Sequence, residues 1–238
     1  MAIYSIDIET TSEGGFPNVD SPAEKVLVVT LQNNNTKKIT TFGLGEFTPT
    51  HETSKYDVDW IGCKDEYTLL KTFVEWWEEN TPDIITGWNS NLFDIPYMIG
   101  RIERILGEGE HKRLSPFGLV NKRPIRFANR EMTAYEITGV AQLDYLDLYK
   151  KFTYVTRESY KLDFITETEL GHKKLESGFE TFKEFYEGDW NRFVEYNIID
   201  TVIVDELEDK MKLIELAITM AYDAKCNYND VFSAVRTW

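Results

Sequence analysis

The stretch Ala2-Ile3-Tyr4-Ser5-Ile6-Asp7-Ile8-Glu9-Thr10-Thr11 sets two acids two residues apart inside a short run of β-branched residues. It ends in the turn-forming segment Ser12-Glu13-Gly14-Gly15-Phe16-Pro17, so it reads as a strand that runs into a loop. Residues two apart on a strand share a face, which places the Asp7 and Glu9 carboxylates side by side and Ile6 and Ile8 opposite them. Two acids on one face of an apolar strand repel each other and resist burial unless positive charge lies between them. A pair of divalent cations supplies that charge. The spacing alone is weak: with 41 acidic residues in 238, roughly seven acid-x-acid pairs arise by composition. Its meaning depends on what the rest of the chain brings to it.

The length and the 42% hydrophobic content support one domain spanning 1–238 with a substantial core. No run approaches the length that spans a bilayer and no basic leader precedes an apolar segment, so neither a membrane partner nor secretion is expected. Cys63 and Cys226 are far apart, and His51, His111 and His172 are scattered, which implies a reducing cytoplasm and no zinc site. The net charge of −15 argues against a broad nucleic-acid footprint. The charge is uneven, however. Arg101, Arg104, Lys112, Arg113, Lys122, Arg123, Arg126 and Arg130 meet only Glu103, Glu108 and Glu110 between positions 101 and 130. Such a cluster is either a solvated face or an anion contact.

After the first strand, 24–32 reads as a strand, Asn33-Asn34-Asn35-Thr36 as a turn and 37–42 as the returning strand. Residues 43–62 show no period and read as an irregular connection. Leu69, Leu70, Phe73, Trp76 and Trp77 fall at helical spacing within 65–80, and the two tryptophans read as core. Residues 83–88 form a short buried strand, followed by a helix running to about Leu106. Asp94 stands at the start of that helix, just before Ile95-Pro96, where an ordinary cap and a site ligand are both open readings. A basic hairpin of about 123–141 bends near Asn129, a short helix covers 161–170, and a long C-terminal helix covers about 190–222. On that helix Tyr196 and Asp200 are four apart and share a face, which fits a site and also fits an amphipathic tyrosine beside a solvated acid. Farther along, Leu213, Ile214, Leu216, Ala217, Ile218 and Met220 offer an apolar surface for a further domain.

Asp7, Glu9, Asp94 and Asp200 with no His or Cys form a ligand set for hard cations, two Mg²⁺ or Mn²⁺. Two such ions about 4 Å apart clamp a phosphodiester. The order of elements suits an α/β, ribonuclease H-like (DnaQ-like) fold, a mixed central sheet flanked by helices with an inserted β-hairpin.

Asp7-Ile8-Glu9, Asn89-x-x-x-Phe93-Asp94 and Tyr196-x-x-x-Asp200 resemble the three exonuclease motifs of family B DNA polymerases. The stretches from Leu143 to Phe152, from Ser159 to Leu162 and from Tyr196 to Asp200 are similar to those of T-even-like bacteriophage polymerases. The resemblance implies a metal-dependent 3′-5′ exonuclease acting on single-stranded or mismatched DNA 3′ ends, the proofreading module of a polymerase. It implies that Asp7, Glu9 and Asp200 hold one ion and Asp7 with Asp94 a second, while Tyr196 and Glu9 orient the attacking water. Lys174 falls near the scissile phosphate, Phe16 matches an aromatic that stacks on the frayed primer end, and Thr10, Asn89 and Phe93 match contacts to the terminal nucleotides. Arg126 and Arg130 lie in a hairpin like the one that helps move a strand between polymerase and exonuclease sites. Polymerase domains are the implied partner, on the same or a separate chain, in the host cytoplasm if the gene is a phage's. A free-standing DNA or RNA exonuclease and a non-catalytic brace remain open alternatives.

Overall fold

The first strand lies at the heart of a mixed sheet because both of its edges are used. In a computed structural model that describes residues 1–237 apart from Phe16, His51, Ala128, Asn129 and Glu176, β1 (Ile3–Thr10) pairs antiparallel with β2 (Val26–Asn33) and parallel with β5 (Ile84–Thr86). The side chains of 125–127 and 130–132 lie outside the description. With β3 (Ile39–Leu44), β4 (Val58–Cys63) and β8 (Ala141–Gln142), the sheet runs in the order β4-β3-β2-β1-β5-β8.

One face of the sheet is closed by α1 (Glu66–Glu79) and α2 (Asp94–Leu106), which bury Leu69, Leu70, Phe73, Val74, Trp77, Tyr97, Ile99 and Ile102 against Ile6, Ile8, Val29 and Leu31. Each such side chain contributes about 1.5–3 kcal/mol. Trp77 is buried, and the half-buried Trp76 sets its ring edge-on to Tyr4 at 5.4 Å, so the tryptophan pair is core as its spacing suggests. The Asp65 carboxylate accepts from Thr68 N at 2.8 Å and fixes the start of α1. The other face is covered by α6 (Trp190–Met211), whose Phe193, Val194, Ile198 and Val202 meet Val28 and Ile39.

Three sequence expectations need correction. Residues 43–62 are not wholly irregular, because β4 pairs parallel with β3 from Ile39↔Val58 to Leu44↔Cys63. This edge strand is mostly half-exposed, so it carries no clean alternation of apolar and polar residues. The expected helix over 190–222 is two helices, α6 and α7 (Leu213–Ala224), broken at Lys212 with φ 56°. No glycine or proline marks the break. The Glu208 carboxylate caps the new start instead, accepting from Ile214 N at 2.9 Å and Glu215 N at 3.2 Å. The bend turns Leu213, Ile214, Ala217 and Ala221 inward to a core they share with Tyr145 and Leu148 of α3 (Tyr145–Phe152). Much of the apolar face expected to await a further domain is therefore internal, although Leu216 remains exposed.

The basic segment is only partly consumed within the fold. Arg101 is buried, paired with Glu66 through Nε at 2.8 Å, and also donates to the Pro22 and Ala23 carbonyls. Arg113 pairs with Glu78 and Glu110, while Lys112, Lys122 and Arg123 are exposed. The hairpin is present as β6 (Val120–Phe127) and β7 (Arg130–Ile137), in register from Val120↔Ile137 to Phe127↔Arg130; its expected bend near Asn129 lies outside the described residues. Two shorter helices, α4 (Leu162–Leu170) and α5 (Phe182–Gly188), connect α3 to α6. Among the described residues no helix is long and apolar enough to cross a membrane.

Breaking a buried ion pair by removing one partner leaves an uncompensated charge. Glu66→Ala should therefore lower the unfolding free energy by about 3–5 kcal/mol in urea titrations, and a Glu66→Met, Arg101→Met double variant should recover most of that loss. A loss below about 1 kcal/mol for Glu66→Ala would show that Arg101 finds other compensation.

Candidate active site

The site is built where β5 ends before β1 does. β5 covers β1 only from Ile3 to Ser5, so the later part of that edge is open to other partners. The chain leaves β5 through Gly87, where an added Cβ would come within 2.5 Å of the Ile6 carbonyl oxygen; only glycine allows the turn to pass so close. Asn89 then takes a left-handed conformation with φ 66°, and its carbonyl accepts from Leu92 N and Phe93 N. This turn swings Asp94 back over the strand, and its Oδ1 accepts from Ile8 N at 3.1 Å. Asp94 is the first residue of α2, with Phe93 at the cap position, so its side chain serves β1 and does not cap the helix.

Asp7 and Glu9 project from β1 toward α6, which supplies Tyr196, Asn197 and Asp200 from a single turn. One carboxylate oxygen each from Asp7, Glu9 and Asp200 lie within 4.8 Å of one another. Asp94, held on the Ile8 N–H, is near enough to Asp7 for its charge to act on that carboxyl. Lys174 enters from the loop after α4: its Nζ pairs with Asp200 Oδ2, donates to the Tyr196 hydroxyl at 2.6 Å and lies 4.0 Å from that ring's centre. Asp200 Oδ1 is buried with no hydrogen-bond partner among the described residues. Its only close positive neighbour among them is that one ammonium, so the cluster is short of cations.

The electrostatics follow from that shortage. Burial raises the Asp7 carboxyl well above the usual range, and the charges of Asp94, Asp200 and Glu9 push it further. Burial and Asp200 do the same to Glu9. Burial pushes Asp94 up to about 7 and Asp200 to about 6, the latter partly restrained by Lys174. For Lys174 burial opposes the charge, but Asp200 and Tyr196 outweigh it and hold the ammonium above the ordinary lysine range. Oxygen-only donors held this close, with an unpaired buried oxygen among them, fit a hard divalent cation.

Other site expectations land in varied places. Thr10 is buried at the irregularity that ends the β1–β2 pairing, and its hydroxyl donates to the Thr11 carbonyl at 2.9 Å. Asn89 and Phe93 are half-buried beside Asp94, with the Phe93 ring stacked on Tyr97 at 5.5 Å. Phe16 lies outside the described residues, as do the side chains of Arg126 and Arg130. Two residues of the site were not singled out from sequence. Asp144 is buried, and its carboxylate accepts from Asn89 N, Asn91 N and Leu146 N, so it holds the left-handed turn and starts α3 at once. Asn197 donates from Nδ2 to Asp7 Oδ2 at 2.6 Å. The Asp144 contact joins segments 53 and 55 residues apart, and the Asn197 contact joins residues 190 apart. No local pattern reveals either of these long-range contacts.

Comparison with known proteins gives this geometry a family. Residues 1–165 match the family described as DNA polymerase family B, exonuclease domain. The chain is 33% identical to a DNA-directed DNA polymerase of Escherichia phage RB69, over 100% of this chain and 29% of that one. It is 36% identical to a DNA-directed DNA polymerase of Enterobacteria phage T4, over 73% of this chain and 19% of that one. A DNA polymerase of Orgyia pseudotsugata multicapsid polyhedrosis virus is 24% identical over 98% of this chain and 25% of that one. The chain thus spans less than a third of the length of these curated relatives.

The raised carboxyls set the sign of a pH effect. A group such as Asp94, near 3.8 when free and about 7 when folded, binds its proton more tightly in the folded state. Its stabilising contribution is full below the free value and is lost as pH rises through the folded one. In EDTA the thermal midpoint should therefore fall between pH 5 and pH 8, and Mn²⁺ should flatten that slope. A midpoint in EDTA that rises over the same window would contradict the burial of these charges.

Proposed function

Because this chain belongs to the exonuclease-domain family of the family B DNA polymerases, we propose that it is a metal-dependent 3′-5′ exonuclease that trims single-stranded or mismatched DNA 3′ ends. The observation that carries this reading is the convergence of Asp7, Glu9 and Asp200 oxygens within 4.8 Å in a corner short of positive charge. DNA as substrate is supported by the relatives, which are DNA polymerases. Proofreading is supported by the same kinship, with polymerase domains as the natural partner of an exonuclease unit formed by 1–238.

In this reading Asp7, Glu9 and Asp200 hold one Mg²⁺ or Mn²⁺, and Asp7 with Asp94 a second. Bound there, such ions activate water and neutralise the charge that builds on the phosphate. The chain's own groups do the rest. The Tyr196 hydroxyl and the Glu9 carboxylate flank the site from α6 and β1 and orient the attacking water. Lys174, tethered between Tyr196 and Asp200, would offer its ammonium to a phosphate oxygen held beside these groups. Thr10, Asn89 and Phe93 lie on the two segments that end beside the acids and contact the terminal nucleotides. Phe16 stacks on the frayed base, a contact worth about 1–3 kcal/mol. Arg126 and Arg130 of the hairpin steer the strand. The net charge of −15 and the internal use of Arg101 and Arg113 leave little long-range attraction for DNA, which favours delivery of the 3′ end by an adjoining polymerase.

The test is excision of 5′-labelled single-stranded DNA with Mg²⁺. The wild-type chain should shorten the label stepwise and prefer single strand to matched duplex, and Asp7→Ala, Glu9→Ala, Asp94→Ala and Asp200→Ala should each lose most of the activity while staying folded. Near wild-type trimming by Asp7→Ala would end the reading.

Tyr196→Phe separates positioning from ligation. It should slow excision by roughly 10-fold to 1000-fold with no loss of Mn²⁺ affinity by calorimetry. A parallel loss of Mn²⁺ binding would remove Tyr196 from the role of water positioner.

A further inference from the structure

Asn197 stands between the two halves of the site, on the α6 turn that carries Tyr196 and Asp200, with its carboxamide turned to β1. It is fully buried, and Nδ2 donates to Asp7 Oδ2 at 2.6 Å. Its Oδ1 is also buried and has no hydrogen-bond partner among the described residues. A buried amide with an idle acceptor is costly, and core packing does not call for it, since the neighbouring Ile198 and Val194 show what the α6 core accepts.

The acids around Asp7 explain what the amide does. A carboxylate rotates easily about its last torsion, and Asp7 faces repulsion from Glu9, Asp94 and Asp200. Left alone, it would swing away from the point where the other oxygens converge. The Asn197 N–H fixes the plane of the carboxylate from the α6 side, and once Asp7 is ionised beside a cation that hydrogen bond is about twice as strong as one to a neutral acceptor. A neutral donor is the suitable clamp: a lysine or arginine here would compete with a cation, and an acid would add to the repulsion. Asn197 and Asp200 lie three apart on one helix, so the clamp and a ligand share a rigid frame.

We propose that Asn197 is a positioning residue that sets the Asp7 carboxylate for divalent-cation binding across the β1–α6 junction. The inference rests on the functional reading above, and it is more specific: it assigns part of the cation affinity to a residue that is not a ligand. Groups that orient metal ligands from behind are commonly worth 10-fold to 100-fold in metal affinity. Asn197→Leu keeps the side chain's approximate size without the donor, and Asn197→Ser is a second variant in case leucine disturbs the core.

The experiment is Mn²⁺ calorimetry on the whole chain, with wild type, Asp7→Ala, Asn197→Leu, Asn197→Ser and the Asp7→Ala, Asn197→Leu double variant. Each protein is first checked for an unchanged circular dichroism spectrum in EDTA. The Asn197 variants should bind Mn²⁺ about 10-fold to 100-fold more weakly. In the Asp7→Ala background the second substitution should change nothing further, which a general packing defect would not produce. Excision by Asn197→Leu should show a lower kcat at fixed Mn²⁺, an unchanged KM for DNA, and recovery at high Mn²⁺; Asp7→Ala should not recover. If Asp7→Ala loses tight Mn²⁺ binding while both folded Asn197 variants bind as wild type does, the proposal is overturned and the functional reading stands. If Asp7→Ala binds Mn²⁺ as wild type does, the functional reading fails, and this proposal with it.

Discussion

The mutual repulsion of the acids around β1 is the constraint on which the other features of the structure depend. Asp7, Glu9, Asp94 and Asp200 crowd one corner, and burial together with their own charges drives their carboxyls upward. A sequence under selection for stability alone would not keep such a corner, because each buried charge costs free energy that packing must offset. The fold offsets it with several small devices. Lys174 sits on Asp200, the Ile8 N–H meets Asp94, and the Asn197 amide meets Asp7. None of them neutralises the whole cluster.

The sheet exists in the form that brings these groups together. β1 must be central so that Ile6 and Ile8 can be buried under α1 and α2 while Asp7 and Glu9 face α6. β5 must be short so that the Ile8 N–H is free for Asp94. Gly87 must lack a side chain so that the connecting turn can pass the Ile6 carbonyl, and Asp144 must be buried to hold that turn by its backbone. Asp144 is itself pushed up to about 7 by burial, so even the support of the site carries a strained charge. Structural and functional demands meet in the same few backbone atoms.

The elements with strong local signals were legible in the sequence. The alternation around Asp7 and Glu9 announces β1, the apolar spacing of Leu69, Leu70, Phe73 and Trp77 announces α1, and Tyr196 with Asp200 announces one face of α6. What could not be read locally was set by distant partners. β4 is a half-exposed edge whose order comes from β3, and the break at Lys212 comes from the Glu208 cap and from the core beside α3. The basic run from Arg101 reads equally as a solvated face or an anion contact, because linear charge counting does not see Glu66 and Glu78 folding back onto it. Asp144 in its hold on the 89–91 turn and Asn197 in its contact with Asp7 stayed hidden for the same reason, since those contacts join distant segments.

The most direct measurement is anomalous diffraction from crystals of this chain soaked in Mn²⁺ near neutral pH. The expected result is a peak within bonding distance, about 2.0–2.2 Å, of oxygens from Asp7, Glu9 and Asp200, with the Lys174 ammonium displaced from Asp200 Oδ2. A map with no peak in that corner at saturating Mn²⁺, and with Lys174 still paired to Asp200, would contradict the claim that the acids are kept together to hold cations.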